Sequence, residues 1–176
     1  MMPGIDDLLL FQPLNFAVLT ISDTRTSEDD RSGDALTARI IQAGHSLQDR
    51  SMVKDDISKI STQVKNWSAN KDIDVILTTG GTGLTGRDVT VEAVTPLFEK
   101  TLEGFSVIFH KMSLETIGLA TLQSRACAGL IDGTFVFCLP GSTRAVKQAW
   151  DDIICEALDS RYRPSSLVDL MPRLKE

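Results

Sequence analysis

A chain of 176 residues, 42% hydrophobic and 24% charged, has the composition of one globular domain with a full core. Its formal net charge of −6 argues against a broad nucleic-acid surface, although a few basic groups converging on one pocket could hold a small anion. The candidates for such groups are Arg25, Arg87, Arg125, Arg144 and Lys147. Three cysteines without a CxxC pair argue against zinc and against a disulfide framework.

The N-terminal segment 1–13 is expected to be a flexible arm. It carries Asp6 and Asp7 without a basic region, and its apolar run 8–11 is too short for a signal core or a membrane span. We therefore expect a cytoplasmic protein that binds neither membranes nor nucleic acid.

The first strand–loop–helix unit begins after this arm. Residues 15–22 form an apolar run rich in β-formers, which predicts a central strand. The acidic stretch 23–30 predicts a loop at the carboxyl end of that strand. Ser32 is the expected N-cap of the helix that follows, and Gly44 is its expected stop.

The same order of elements then repeats. Residues 45–53 predict a weaker strand, and apolar residues at helical spacing between 57 and 67 predict a helix that Asp55 or Asp56 can cap. Residues 73–78 predict a third strand. This alternation favours a parallel sheet with helices on both faces.

Residues 74–92 carry the strongest functional signal, because a glycine-rich turn follows the third strand. Its glycines are Gly80, Gly81, Gly83 and Gly86. Glycine lets the backbone adopt positive φ and approach a ligand closely, so that successive amides can point at one anion. A following helix would add partial positive charge. The turn therefore predicts a phosphate site.

Two familiar phosphate-binding motifs match this turn only in part. Residues 81–86 fit G-x-G-x-x-G, but an NAD site needs the next helix to lead directly into another strand, and none is predicted before about residue 130. Residues 81–88 have the P-loop spacing, but Arg87 and Asp88 replace its lysine and its hydroxyl residue. An aspartate beside phosphates favours a Mg²⁺–carboxylate arrangement.

Simpler roles stay open for the same residues. The glycines could form only a tight turn, and Asp55 and Asp88 could be plain helix caps.

The segment after the turn is ambiguous. Thr90 can cap a helix through Lys100, in which Pro96 marks either a kink or a new helix capped by Thr95. Residues 104–122 are expected to be mainly helical, with breaks at glycines.

The C-terminal part gives clearer signals. Residues 133–139 predict a strong strand, Pro140 and Gly141 predict a turn, and Ser142 is the expected cap of the last helix. Loops after three strands thus carry distinctive residues. Ligands bind outside the carboxyl ends of parallel strands, so these loops predict one shared site.

Several motifs together resemble the MoaB/MogA family of molybdenum cofactor biosynthesis proteins, and the MoaB branch in particular. They occupy residues 19–24, 30–33, 78–90, 103–105, 122–129 and 139–143. The resemblance covers residues 14–163 as a single domain and leaves 164–176 as a C-terminal tail. It implies a three-layer α/β/α sandwich around a mostly parallel sheet with Rossmann-like topology, and a homo-oligomer that is trimeric or hexameric.

The resemblance also implies an activity. Family members adenylylate molybdopterin with Mg²⁺ and ATP as co-substrate, release pyrophosphate, and pass the product on to a molybdate-insertion protein. The chain is accordingly expected to be a nucleotidyltransferase. The alternative is a carrier that binds molybdopterin or a nucleotide without turnover.

The implied site residues follow from the matching motifs. Asp55 and Asp88 are the expected catalytic residues, and Asp88 is also the candidate Mg²⁺ ligand. Some MoaB-branch proteins carry another residue at the position of Asp55, so aspartate here favours activity. The residues expected to bind nucleotide or pterin are Ser22, Asp23, Asp30, Ser32, Gly33, Gly80, Gly81, Thr82, Gly83, Arg87, Ser124, Arg125, Pro140, Gly141 and Ser142.

Overall fold

The computed structural model describes residues 2–176. Its strands are β1 (Gly4–Ile5), β2 (Asn15–Ile21), β3 (Ser46–Val53), β4 (Val75–Thr79), β5 (Lys100–Thr101), β6 (Cys127–Ile131), β7 (Thr134–Leu139) and β8 (Tyr162–Arg163). Its α-helices are α1 (Arg31–Gln42), α2 (Ile57–Ser68), α3 (Thr90–Val94), α4 (Glu103–Ile117), α5 (Thr143–Ala149) and α6 (Cys155–Ala157). A π-helical segment, Trp150–Ile154, joins α5 to α6, and short 3-10 turns occupy Thr95–Leu97, Gly118–Gln123 and Val168–Arg173.

A six-stranded sheet in the order β3-β2-β4-β7-β6-β5 forms the middle layer. Strands β3, β2, β4 and β7 run parallel, whereas β6 and β5 are antiparallel additions at one edge. Helices α1, α4 and α5 contribute to the core on one face, and α2 and α3 to the core on the other. The predicted three-layer α/β/α architecture is confirmed.

The residues that cap the helices differ in part from the predicted ones. Asp30, not Ser32, caps α1 by accepting the Gly33 amide at 3.0 Å, because its buried carboxylate lies below the start of the helix. Asp56 caps α2, and its neighbour Asp55 is thereby left for the site. Ser142 caps α5, and Gly44 follows α1 with φ +88°, as predicted.

Residues 95–131 differ most from the prediction. The helix that begins at Thr90 ends at Val94 rather than Lys100, and Pro96 lies in a 3-10 turn that no side chain caps. Two strands follow where none was expected. The signal for β6 is weak because Gly129 replaces a β-forming side chain, and a Cβ there would overlap the Phe98 ring.

The N-terminal segment is docked in the structure rather than loose. Strand β1 pairs antiparallel with β8, the Gln12 amide donates to Ser160 Oγ at 2.8 Å, and the Arg161 guanidinium lies 5.2 Å from the Phe11 ring centre. The tail is likewise packed, since Val168 belongs to the core. Met1 lies outside the described residues. No helix within residues 2–176 is long and apolar enough to cross a membrane.

His45 is enclosed where this segment meets the core. Its ring lies 5.0 Å from Phe11, 5.0 Å from Phe16 and 6.3 Å from Trp150, between ring centres, and its Nδ1 accepts the Leu14 amide at 3.1 Å. Burial lowers the pKa of His45, and the nearby Asp159 carboxylate only partly offsets this.

We expect the free energy of unfolding to fall as the pH is lowered from neutrality. Folded His45 resists protonation, so the unfolded chain binds more protons once the pH drops below the ordinary histidine pKa of about 6.5. The loss grows until the lowered folded-state pKa is reached. Urea unfolding at pH 7.5 and 5.5 measures this loss of stability, and His45→Asn is the variant that lacks the titratable imidazole. An equal decline in that variant would contradict the assignment to His45.

Candidate functional site

A cavity of about 550 Å³ opens at the carboxyl edge of the parallel strands. The loops after β2, β3, β4 and β7 contribute to its wall, as expected for an open α/β sheet. The predicted residues that line it are Ser22, Asp23, Asp55, Gly80, Gly81, Thr82, Gly83, Arg87, Asp88, Ser124, Pro140 and Gly141. Distant loops of the sequence are therefore brought together here.

Backbone geometry requires glycine at the start of the turn. Gly80 has φ +107°, and a Cβ there would overlap the Ile21 carbonyl oxygen of the neighbouring strand. Gly81 has φ +65°, and its Cβ would lie 2.8 Å from Asp55 Oδ1. Thr90, predicted to be a helix cap, instead donates its hydroxyl to Gly80 O at 2.7 Å. The backbone of the turn therefore passes so close to β2 and Asp55 that side chains at these two positions would not fit.

The turn retains free amides at the cavity. The Gly80 amide donates to Leu139 O at 3.0 Å, and the backbone of Gly83 helps to lower the pKa of Asp88. Within residues 2–176, the amides of Gly81 and Thr82 have no protein acceptor. Both residues line the cavity, so these donors suit an anion such as phosphate.

Asp88 is held within the turn. Its Oδ2 accepts the Thr85 hydroxyl at 2.6 Å and the Thr85 amide at 2.9 Å. The hydroxyl contact is the largest cause of its lowered pKa, and the backbone amides of Thr85 and Gly83 and the Arg125 charge act in the same direction. Asp88 is therefore a stable anion that also shapes the turn.

The carboxylate of Asp55 has the opposite environment. No hydrogen bond from the described residues reaches its carboxylate, and its pKa is raised, first by burial and then by repulsion from Asp23 and Asp88. Its backbone amide points to Asp23 Oδ1 at 3.4 Å. The Arg87 charge offsets only part of this repulsion, so a bound cation would add compensation for this half-buried carboxylate.

Arg87 joins the glycine turn to the loop after β2. Its Nε donates to Asp23 Oδ2 at 2.8 Å, and a second guanidinium nitrogen contacts the same oxygen. This pair lowers the pKa of Asp23 and raises that of Arg87. The Arg87 side chain is 73% exposed, so the pair bridges the mouth of the cavity from the outside.

Arg125 lies behind the turn and does not line the cavity. Its Nε donates to Gly83 O at 2.9 Å, one terminal nitrogen donates to Asp88 O at 3.1 Å, and the guanidinium pairs with Glu92. It therefore holds the turn from its far side. Its neighbour Ser124 does line the cavity, and the buried Ser124 Oγ has no partner in the described part of the chain.

Four other predicted residues also lie outside the cavity wall. Asp30, Ser32 and Gly33 form the start of α1 beneath it, where a Cβ on Gly33 would overlap the capping Asp30 carboxylate. Ser142 lines a neighbouring chamber of about 310 Å³ that shares Ser124 and Pro140 with the main cavity.

Some lining residues were absent from the predicted set. Arg25 was only one of five candidate anion-binding groups, yet it forms part of the wall. Ala120 and Gln123 come from the 3-10 turn Gly118–Gln123. Gln123 lies within the recognised motif 122–129 and Ala120 lies just before it, but neither was singled out as a binding residue.

The available carboxylates suit Mg²⁺, which needs few protein ligands, better than a metal ion that is coordinated entirely by protein side chains. Within residues 2–176 no group of three or more metal-ligating side chains converges. Mg²⁺ commonly takes one or two carboxylates and completes its shell with phosphate oxygens and water. Asp55 and Asp88, which repel each other across the glycine turn, could supply those carboxylates.

The NAD interpretation is not supported by the strand arrangement. A strand does follow α3 sooner than predicted, but β5 has two residues and lies antiparallel to β6 at the far edge of the sheet. A dinucleotide site would need that next strand to lie parallel beside β4, but the parallel neighbours of β4 are β2 and β7.

Comparisons with known proteins agree with this fold and site. Residues 17–160 match a family model described as "Probable molybdopterin binding domain". Molybdenum cofactor biosynthesis protein B of Escherichia coli K12 is 45% identical over 166 residues, which cover 94% of this chain and 96% of that protein. The Bacillus subtilis protein of the same name is 44% identical over 142 residues, covering 80% and 84%.

Solved structures give the same result. A crystal structure of molybdenum cofactor biosynthesis protein B has a TM-score of 0.81 at 42% identity, covering 84% of this chain and 92% of that one. The tungsten cofactor synthesizing protein MoaB from Pyrococcus furiosus has a TM-score of 0.75 at 35% identity, covering 82% and 92%.

The fold, the cavity at the carboxyl edge and the matched residues define an α/β domain of the molybdopterin-binding class. The chain belongs to the MoaB/MogA family of molybdenum cofactor biosynthesis proteins, on its MoaB branch. Its function therefore lies in molybdenum cofactor biosynthesis.

Proposed function

We propose that this protein adenylylates molybdopterin with ATP and releases pyrophosphate. The observation that carries the proposal is the pairing of an incompletely compensated carboxylate, Asp55, with two free amides of the glycine turn on one cavity wall. A cation site next to an anion site suits a reaction between two phosphorylated substrates.

The reaction joins a phosphate oxygen of the pterin to the α-phosphorus of ATP. The bond from that phosphorus to its bridging oxygen breaks, and pyrophosphate leaves with the electron pair. Such transfers depend mainly on positioning and on charge stabilisation. The Gly81 and Thr82 amides would bind phosphate oxygens, and the Arg87–Asp23 pair would limit access of water at the mouth.

Magnesium is part of the proposal. Asp55 and Asp88 would hold Mg²⁺, which when bound neutralises phosphate charge. Asp88 is kept anionic by Thr85, and Asp55 would be relieved of its repulsion by the added positive charge.

Incubation of the purified protein with molybdopterin, Mg²⁺ and ATP tests the proposal. We expect pyrophosphate release together with adenylylated pterin, detected by coupled phosphate assay and by mass spectrometry. Tight binding of either substrate without pyrophosphate would favour the carrier function instead. In the cell, the product would pass to a protein that inserts molybdate.

We further infer a homo-oligomer, trimeric or hexameric, from an exposed apolar surface. The exposed fractions along α4 and the following turn are 68% for Val107, 48% for Ile108, 73% for Leu119 and 70% for Leu122. A helix that is apolar on more than one face is normally covered. Light scattering after size exclusion measures the mass, and a monomer of 19.3 kDa would contradict the inference.

A further inference from the structure

Two arginines line the main cavity, and their electrostatic states differ. Arg87 is paired with Asp23, so its charge is compensated within the protein. Arg25 forms no ion pair with any carboxylate in residues 2–176, and its anchoring partners are neutral. Because Asp23 neutralises Arg87, Arg25 is the lining cation whose charge remains available to a ligand.

Arg25 is nevertheless held in place. One terminal nitrogen donates to Ser32 Oγ at 2.9 Å, and the other donates to Gly141 O at 3.0 Å. Its backbone amide donates to Ser22 Oγ at 3.1 Å. A guanidinium has five N–H donors, so these two contacts leave others for a ligand. The group is half-buried, and its field is less screened than that of exposed Arg87.

A chain of hydrogen bonds behind the wall supports this arginine. Ser32 accepts from Arg25 and donates its own hydroxyl to Asp30 Oδ1 at 3.3 Å. Asp30 is 1% exposed and is fixed by Thr20 Oγ1 at 2.6 Å and by Arg50 at 2.8 Å. Through Ser32, the buried start of α1 therefore orients the Arg25 guanidinium without forming an ion pair with it.

The cavity is consequently divided by charge. Asp55 and Asp88 border the glycine turn, and the cation that acts on Asp55 is Arg87, which is already paired with Asp23. Arg25 instead reaches the loop after β7 through Gly141, which approaches Gly80 closely from the other side. Unless a cation is bound at Asp55 and Asp88, an anion is therefore attracted to the Gly141 side and repelled from the side of these carboxylates.

We propose that Arg25 binds a phosphate group of the substrate on the Gly141 side of the cavity, and that Ser32 is its positioning residue. This deepens the proposed function and rests on it for the identity of the anion. The shared chemistry is a phosphate ester, which is either the polyphosphate of ATP or the terminal phosphate of the pterin. Planar guanidinium groups bind phosphate oxygens with two parallel hydrogen bonds.

Calorimetric titration with inorganic pyrophosphate tests the binding itself. Arg25→Gln removes the charge but keeps a donor for Ser32 or Gly141, and we expect its Kd to rise about 10- to 100-fold. Arg25→Lys should retain part of the affinity, and Ser32→Ala should weaken binding by about 2- to 10-fold. Arg31→Met is the matched control, because Arg31 is exposed at the start of α1 outside the cavity.

Two results would overturn the inference. One is a Kd of Arg25→Gln within about twofold of the unmodified protein. The other is an absence of pyrophosphate binding to the unmodified protein. Unfolding curves recorded by circular dichroism identify a variant that has lost its fold, and Arg25→Lys then carries the comparison.

Steady-state kinetics separate the two phosphate sources. If Arg25→Gln raises KM for ATP alone, the polyphosphate is the ligand; if it raises KM for molybdopterin alone, the pterin phosphate is. Unchanged kcat and KM for both would overturn the inference while leaving adenylylation intact. Conversely, Arg25-dependent pyrophosphate binding without adenylylation would support Arg25 and reject the proposed function.

Discussion

Asp55→Asn is expected to lower adenylylation by about 100-fold or more without lowering the free energy of unfolding. The substitution removes a cavity carboxylate that makes no structural hydrogen bond with its side chain, and it also removes repulsion from Asp23 and Asp88. Pyrophosphate release at saturating substrates measures the first effect, and urea unfolding measures the second.

The neighbouring aspartate provides the control. Asp56 accepts the Lys59 amide at 2.8 Å as the cap of α2 and does not line the cavity. Asp56→Ala should therefore cost about 1 kcal/mol of stability and retain adenylylation. Near-normal turnover in Asp55→Asn, or a loss in Asp56→Ala as large as that in Asp55→Asn, would show that the two adjacent residues have been assigned wrongly.

Gly80→Ala is expected to lower the free energy of unfolding by about 3 kcal/mol or more. A Cβ at φ +107° would overlap the Ile21 carbonyl oxygen, which is backbone of the central sheet and cannot rotate away. The turn would have to leave its place beside β2, so adenylylation should be lost as well. Thermal and urea unfolding give the stability change.

Gly86 lies in the same turn and serves as the comparison. A Cβ there would meet nothing within 4 Å, and its φ is not positive. Gly86→Ala should therefore change stability by no more than about 0.5 kcal/mol. If the two alanine variants were equally stable, the strained approach of the turn to β2 would not be a requirement of the fold.

The two predicted catalytic carboxylates have contrasting environments. Hydrogen bonds from Thr85 lower the pKa of Asp88, whereas burial and neighbouring charge raise that of Asp55. Pairs of titratable groups whose pKa values are driven apart commonly have separate roles. Here Asp88 combines a charge with support of the turn, and Asp55 supplies a charge that the fold compensates only in part.

Sequence motifs predicted many of the residues that line the cavity, but they did not distinguish the lining residues from those that support the wall. Asp30, Ser32 and Arg125 occur in the recognised motifs, yet their side chains act behind the wall. Arg25, by contrast, carries a charge into the cavity and stood only among several basic candidates. A motif reports which residue types occur together, whereas the direction of each side chain depends on packing between distant segments.

Hydrophobic periodicity and turn chemistry by themselves determined the alternating strands and helices up to the third strand, the parallel sheet with helices on both faces, and the glycine turn. These are local properties, because burial of an apolar stripe and tolerance of positive φ depend on a few neighbouring residues. The tertiary structure alone decided the edge strands β5 and β6, the docking of the N-terminal segment and the pairing of Arg87 with Asp23. Those features arise from contacts between residues far apart in the chain, which no local pattern records.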